Sequence, residues 1–328
     1  MKTEKQLSEE FDWKNHPKIH RFDHKAMATI YEIAIFHEDK HFAAGAAHEA
    51  FKQLDWLEDQ LSRYRENSDI TRINHLKTNQ SVIVGPEAYD CITASQEIYR
   101  ETGGAFDITV GPLYDIWLDD EKQLRNPSDD EIREARRRTG MKLVEVDREN
   151  FRVSVQTDDL TLDLGGVGKG YAVDVMADLL VEWGVDTCFI HGGKSTVKAL
   201  KTPPGTDGWP ITISTPGKES RVIATFYLRN RALSGSGLQK GEHIIDPRTS
   251  KPVEGKVAAW TSCENATKSD AYSTAFMIMT PPEIERLTEE KDDLQSLVIS
   301  KSEGDQLTES NYVYYGDWQT QDLRIELK

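Results

Sequence analysis

Asp163-Leu-Gly-Gly-Val-Gly-Lys-Gly170 concentrates the residues best suited to chemistry in this chain. Gly165, Gly166, Gly168 and Gly170 let a backbone turn sharply and come close to a ligand, because glycine carries no Cβ. Ala172, Val175, Met176, Leu179, Leu180 and Trp183 follow at helical spacing. A helix N-terminus led in by glycines offers free N–H groups and a positive dipole end, and Lys169 adds a full charge. That combination suits a phosphate. Neither common phosphate loop fits it. Gly170, not a serine or threonine, follows Gly168-Lys169, and Gly166, Gly168 and Gly170 do not have dinucleotide-fingerprint spacing.

Four further segments carry chemistry. Ala105-Phe-Asp-Ile-Thr-Val-Gly-Pro112 sets an aromatic ring and a carboxylate beside a turn. Ile190-His-Gly-Gly-Lys-Ser-Thr196 is a second glycine turn behind a short apolar strand. Glu242-His-Ile-Ile-Asp-Pro-Arg-Thr249 packs His243, Asp246 and Arg248 into a proline-marked loop. Asp270, Ser273 and Thr274 stand at i, i+3 and i+4 of a helical stretch and so share a face. A carboxylate with hydroxyls makes a hard oxygen donor set, suited to Mg²⁺ rather than zinc.

Taken in order, these segments resemble the ApbE family, the FAD:protein FMN transferases. The resemblance runs from about Met27 to Met279. It rests on Met27-Ala-Thr29, on Ser62-Arg-Tyr-Arg-Glu-Asn-Ser-Asp-Ile-Thr-Arg-Ile-Asn74, and on Gly104–Pro112 with Trp117. Leu162–Asp174, Ser234-Gly235, His243–Thr249 and Ser269-Asp-Ala-Tyr-Ser-Thr-Ala275 complete it. The resemblance implies FAD contacts at Met27, Tyr64, Ala105, Phe106, Asp107, Asp163, Lys169 and Ile245. It also implies Mg²⁺ held by the Gly166 carbonyl, Asp270, Ser273 and Thr274. The sequence departs from the family pattern at Ile190, His191 and Lys194 around the second glycine pair, and at Ser250, where a glycine is usual.

The activity so implied is Mg²⁺-dependent transfer of FMN from FAD to a Ser or Thr hydroxyl of an acceptor protein, with release of AMP. Cleaving a pyrophosphate needs charge neutralisation and in-line positioning more than covalent participation. Asp163 and His243 are the two candidates to receive the hydroxyl proton. The alternatives are a protein that binds FAD without transferring it, and an Mg²⁺-dependent FAD pyrophosphatase in which water replaces the hydroxyl.

The elements that must position these residues follow from periodicity. Leu160, Leu162 and Leu164 alternate with Thr161 and Asp163, which predicts a strand entering the glycine turn. Met27–Phe36 reads as a strand, and Ala44–Tyr64 as an amphipathic helix. Pro86–Thr102 reads as a helix closed by Gly103-Gly104, and Asp129 opens another behind Ser128 as cap. Further strands are expected at 142–146, 152–156, 188–190, 196–200, 210–214 and 222–228, with helices at 269–279 and 282–290. Helices and strands mix without regular βαβ alternation, so an α+β fold is expected, with residues 1–22 as an extension and 23–328 as one domain.

Composition sets outer bounds. Against 40 lysines and arginines stand 56 aspartates and glutamates, a net charge of −16 over 328 residues, which disfavours nucleic acid as a partner. Such a chain must gather positive charge locally, or recruit a divalent metal, to hold an anionic ligand. Cys91, Cys188 and Cys263 are too few and too scattered for a disulfide framework or a zinc site. Met1–His24 is polar and lacks an apolar signal core, so a cytoplasmic location is expected; a leader or lipid anchor ahead of this sequence would instead place it in the periplasm or on a membrane.

Overall fold

The computed structural model describes residues 11–119, 123–215, 221–238, 244–301, 311–318, 320 and 322–327. Its spine is an eight-stranded antiparallel sheet in the order β1 (Ile19–Ala26), β2 (Thr29–Phe36), β6 (Cys188–Gly192), β7 (Thr196–Ala199), β10 (Arg231–Gly237), β13 (Lys256–Cys263), β14 (Gln295–Ser300), β15 (Tyr312–Tyr315). A second sheet joins β8 (Trp209–Ser214), β9 (Val222–Leu228) and β16 (Leu323–Leu327). A third joins β3 (Ser81–Ile83), β4 (Val144–Asp147) and β5 (Arg152–Val155), and β11 (Ile245–Asp246) pairs with β12 (Lys251–Pro252). The expected α+β class holds.

Both faces of the large sheet are covered. Ile33, Ile35 and Val298 enter one core with the helices, while Ala34, Leu297 and Ile299 enter another with Phe226, Leu228 and Trp209 of the second sheet. A strand buried on both sides reads as a continuous apolar run, which hides its period. On the helical face lie α1 (Lys40–Leu61), α2 (Asp69–Asn74), α3 (Pro86–Glu101), α6 (Gly168–Glu182) and α7 (Ala266–Ile278). The remaining helices are α4 (Gly111–Trp117), α5 (Asp129–Arg137) and α8 (Pro281–Glu290). Caps set several of the ends. The Asp39 side chain accepts from the amides of His41 and Phe42 at the start of α1, and Ser128 forms a capping box with Glu131 at the start of α5.

Three expectations change. Met27 and Ala28 take left-handed conformations (φ 48° and 58°) and form the turn between β1 and β2, so Met27 is not in a strand. That hairpin makes residues 19–22 part of the sheet. Thr161–Leu164 pairs with no strand. The Leu162 amide donates to Asn74 Oδ1 (2.7 Å), Asn74 Nδ2 donates to the Leu162 carbonyl (3.1 Å), and the Asp163 amide donates to the Ile108 carbonyl (2.7 Å). A side-chain clamp and one loop carbonyl thus replace the ladder that the alternation predicts.

Candidate active site between two helices

α6 lies over β6 and β7, and α7 over β10 and β13; the two helices also pack on each other. Their contact is close because Gly170 has no side chain: a Cβ there would stand 2.3 Å from the Ala266 carbonyl oxygen and 2.8 Å from Asp270 Cβ. Asp174, one turn further on, accepts from the amides of Ala266 (3.0 Å) and Thr267 (2.8 Å) and from Thr267 Oγ1 (2.6 Å), while Lys198 neutralises it at 2.7 Å. The helix that begins at the glycine turn therefore fixes the start of the helix that carries Asp270.

Asp270 is buried, 2% exposed. Its Oδ2 accepts from the Gly170 amide (3.0 Å), with Lys169 Nζ at 3.5 Å, and its Oδ1 accepts from Thr196 Oγ1 (3.2 Å). Ser236 Oγ reaches both Ser273 Oγ (2.8 Å) and Thr274 Oγ1 (3.0 Å). Gly166 faces this group: a Cβ there would lie 3.1 Å from Thr274 Oγ1 and 3.2 Å from the Phe106 ring. Gly166, Phe106, Lys169, Asp270, Ser273 and Thr274, expected at one site, are thus gathered by two helices and the 105–107 loop. Lys169 Nζ also donates to the Gly165 carbonyl (3.2 Å), which holds its charge over the turn.

Among the described residues no cluster of three or more His, Cys, Asp or Glu side chains could hold a metal. Around Gly166 and Thr274 the available donors are one carboxylate, hydroxyls and backbone carbonyls. That all-oxygen set fits Mg²⁺ and does not fit zinc.

Asp163 stands at the entry to the turn. Gly165 N donates to its Oδ1 (2.7 Å) and Arg63 Nη1 to its Oδ2 (2.9 Å). Arg63 lies over the ring of Tyr64 (5.2 Å), and Tyr64 is 80% exposed. Met27 is anchored by the Tyr31 hydroxyl, which donates to its sulfur at 3.3 Å.

Asp107 occupies a separate groove of about 410 Å³ whose walls include Tyr99, Arg136, Arg137, Lys142 and Arg248. Thr109 donates to Asp107 Oδ1 through its amide (2.8 Å) and its hydroxyl (2.6 Å), yet burial pushes the Asp107 carboxyl up to about 6. An acidic chain has here gathered four cations along one groove, beside a carboxyl whose ionisation burial opposes. Arg248 is held by Asp246 and by Glu283 (2.8 Å). Ala105 is buried beside Phe106 in the main core, whereas Ile245 is buried in a different cluster, with Val110 and Leu113. His243 lies outside the described residues.

Several partners escaped the sequence reading. Arg63 sits inside the Ser62–Asn74 motif, but no local pattern pairs it with an aspartate a hundred residues away. Thr196 and Ser236 reach the site only through sheet order. At Ser250 the backbone is left-handed (φ 62°), which explains why glycine suits this position.

Fold and site together define an α+β protein with an oxygen-lined, cation-tipped cradle at a helix N-terminus. The ApbE family model matches residues 27–298, and the chain belongs to that family. It is 28% identical over 297 residues to the FAD:protein FMN transferase of Klebsiella pneumoniae, covering 86% of this chain and 85% of that protein. The Escherichia coli protein of the same name is also 28% identical, over 296 residues, with 86% and 84% covered. Among solved structures, the ApbE protein of Thermotoga maritima superposes with a TM-score of 0.78 at 28% identity, over 89% of this chain and 97% of that one. The flavin transferase ApbE of Vibrio cholerae shares the fold, with a TM-score of 0.78 at 24% identity over 90% and 97%.

Proposed function

We propose that this chain is an FAD:protein FMN transferase that moves FMN to a Ser or Thr hydroxyl of an acceptor protein and releases AMP. The observation that carries the reading is the convergence of the glycine turn, the α6 N-terminus, Lys169 and the Asp270–Thr274 face on one spot, in a chain of this family. Lys169 and the positive dipole end of α6 balance charge on the pyrophosphate; the Gly168 and Gly170 amides are already engaged by the Leu164 carbonyl and by Asp270. The Phe106 ring packs against Gly166 and closes one side of the turn. Met27, Tyr64, Ala105, Asp107, Asp163 and Ile245 complete the FAD contacts. The Gly166 carbonyl, Asp270, Ser273 and Thr274 would hold Mg²⁺, which when bound supplies Lewis-acid neutralisation of phosphate oxygens.

In the reaction the acceptor oxygen forms a bond to the FMN phosphorus, the bond from that phosphorus to the AMP oxygen breaks, and the hydroxyl proton passes to a base. Asp163 and His243 are the candidates. The pH–rate profiles of Asp163→Asn and His243→Gln separate them, because only loss of the base removes the acid limb. Chromatography of FAD incubated with protein and Mg²⁺, with and without acceptor protein, tests the whole reading. AMP formation that requires the acceptor supports transfer. AMP with FMN in its absence means a pyrophosphatase, and intact bound FAD in both arms means a binding protein.

A further inference from the structure

We infer that Arg63 is a positioning residue that sets the Asp163 carboxylate and, through it, the glycine turn; the kinetic side of this inference rests on the proposed flavin transfer. Asp163 has each carboxylate oxygen engaged, Oδ1 by the Gly165 amide at 2.7 Å and Oδ2 by Arg63 Nη1 at 2.9 Å. The two contacts come from opposite directions in sequence, one from the turn itself and one from the loop that follows α1. A carboxylate held by a single backbone amide can rotate about its Cβ–Cγ bond. One held at both oxygens cannot, and Gly165, exposed and without a side chain, is then fixed by the aspartate.

Arg63 is itself over-determined. Its second terminal nitrogen is 3.7 Å from Asp115 Oδ1, and its guanidinium lies over the Tyr64 ring at 5.2 Å. Its side chain is 21% exposed, so these contacts are only partly screened by solvent. One residue therefore joins the exposed ring at the rim, the end of α4 and the phosphate turn. Lysine, a point charge without the planar fork, could pair with one carboxylate but could not bridge two and cover a ring.

Two measurements test the role. In the ligand-free protein, Arg63→Gln should speed amide hydrogen exchange of the Gly165–Gly168 segment about tenfold or more while leaving α5 unchanged. Unchanged exchange in that segment overturns the inference whatever the protein's activity. In the transfer assay, Arg63→Gln and Asp163→Asn should each lower kcat/KM for FAD about 10- to 100-fold, the range expected for a lost charge-assisted bond. The double variant should be no more than about threefold worse than the weaker single one, because both act through one carboxylate. Arg63→Lys should recover part of the loss, and added guanidinium ion should partly rescue Arg63→Gln. Fully multiplicative losses, or an Arg63→Gln enzyme within about threefold of wild type, overturn the role. A wild-type protein that neither binds nor turns over FAD refutes the flavin reading and leaves the exchange measurement to decide on Arg63.

Discussion

The chain contains two glycine turns behind short apolar segments, and they use glycine for different reasons. At Gly165–Gly170 the absent side chains make room: Gly166 faces Thr274 and the Phe106 ring, and Gly170 lets two helices touch. At Gly192-Gly193 they serve the sheet. Gly193 takes φ 65° in the turn between β6 and β7, a Cβ on it would lie 2.7 Å from Thr29 Oγ1, and Gly192 packs on Tyr31 and Val173. The first turn gathers Lys169, Asp270 and hydroxyls; beside the second, Lys194 is exposed and Thr196 reaches Asp270 from β7. Glycine density alone does not separate a ligand cradle from a hairpin. What the missing Cβ would strike does.

The contrast breaks most visibly at Gly170. Gly170→Val drives a side chain into backbone and should cost roughly 4 kcal/mol or more, at the upper end of single-residue effects. Thermal unfolding of the purified variant checks it, and a fully stable Gly170→Val protein would mean that α6 and α7 do not meet there. At Asp270 the effect should appear in turnover. Asp270→Asn keeps the shape and the Gly170 contact but removes the site's buried charge. AMP release should fall about 100-fold, some 2.7 kcal/mol of barrier, with FAD binding by fluorescence changed far less.

In the neighbouring groove, Asp107 makes a pH prediction. Burial raises its folded pKa from the ordinary carboxylate range to about 6, so the folded state holds a proton that the unfolded chain releases. The cost is absent below pH 4, grows as pH rises through 4 to 6, and reaches roughly 3 kcal/mol above that window. Asp107→Asn should flatten the fall in melting temperature over that range. An unchanged pH profile would place the titration elsewhere.

The smallest effect is expected at the second turn. Gly193→Ala meets a left-handed backbone and Thr29 and should lose about 1–2 kcal/mol of stability, while transfer stays within about threefold of wild type. A large loss of turnover from Gly193→Ala, measured beside a mild one from Gly170→Ala, would reverse the comparison.

Much of this is legible in the sequence. Helices announced themselves through caps and punctuation: Ser128 before Asp129, Pro86 at a start, and Gly103-Gly104 after an end. The convergence of residues 105–107, 163–170 and 270–274 was legible only as motif order resembling a family. Strands buried on both faces, such as β10 and β13, show no period 2, and neither was expected. Leu160–Leu164 shows that period and is not a strand, because Asn74 satisfies the backbone that a neighbouring strand would otherwise bond. Arg63, Thr196 and Ser236 were hidden because their partners are tertiary. No local rule links an arginine after α1 to Asp163, or a serine on β10 to Thr274.

The central claim is that this cradle passes FMN to a protein. Intact-mass spectrometry of a Ser/Thr-bearing acceptor protein, incubated with FAD, Mg²⁺ and this chain, tests it most directly. The expected result is an acceptor heavier by one FMN less water, with equimolar AMP, and both products formed about 100-fold more slowly when Asp270→Asn replaces the wild type. An acceptor of unchanged mass, beside an authentic relative that modifies it in parallel, would contradict the claim.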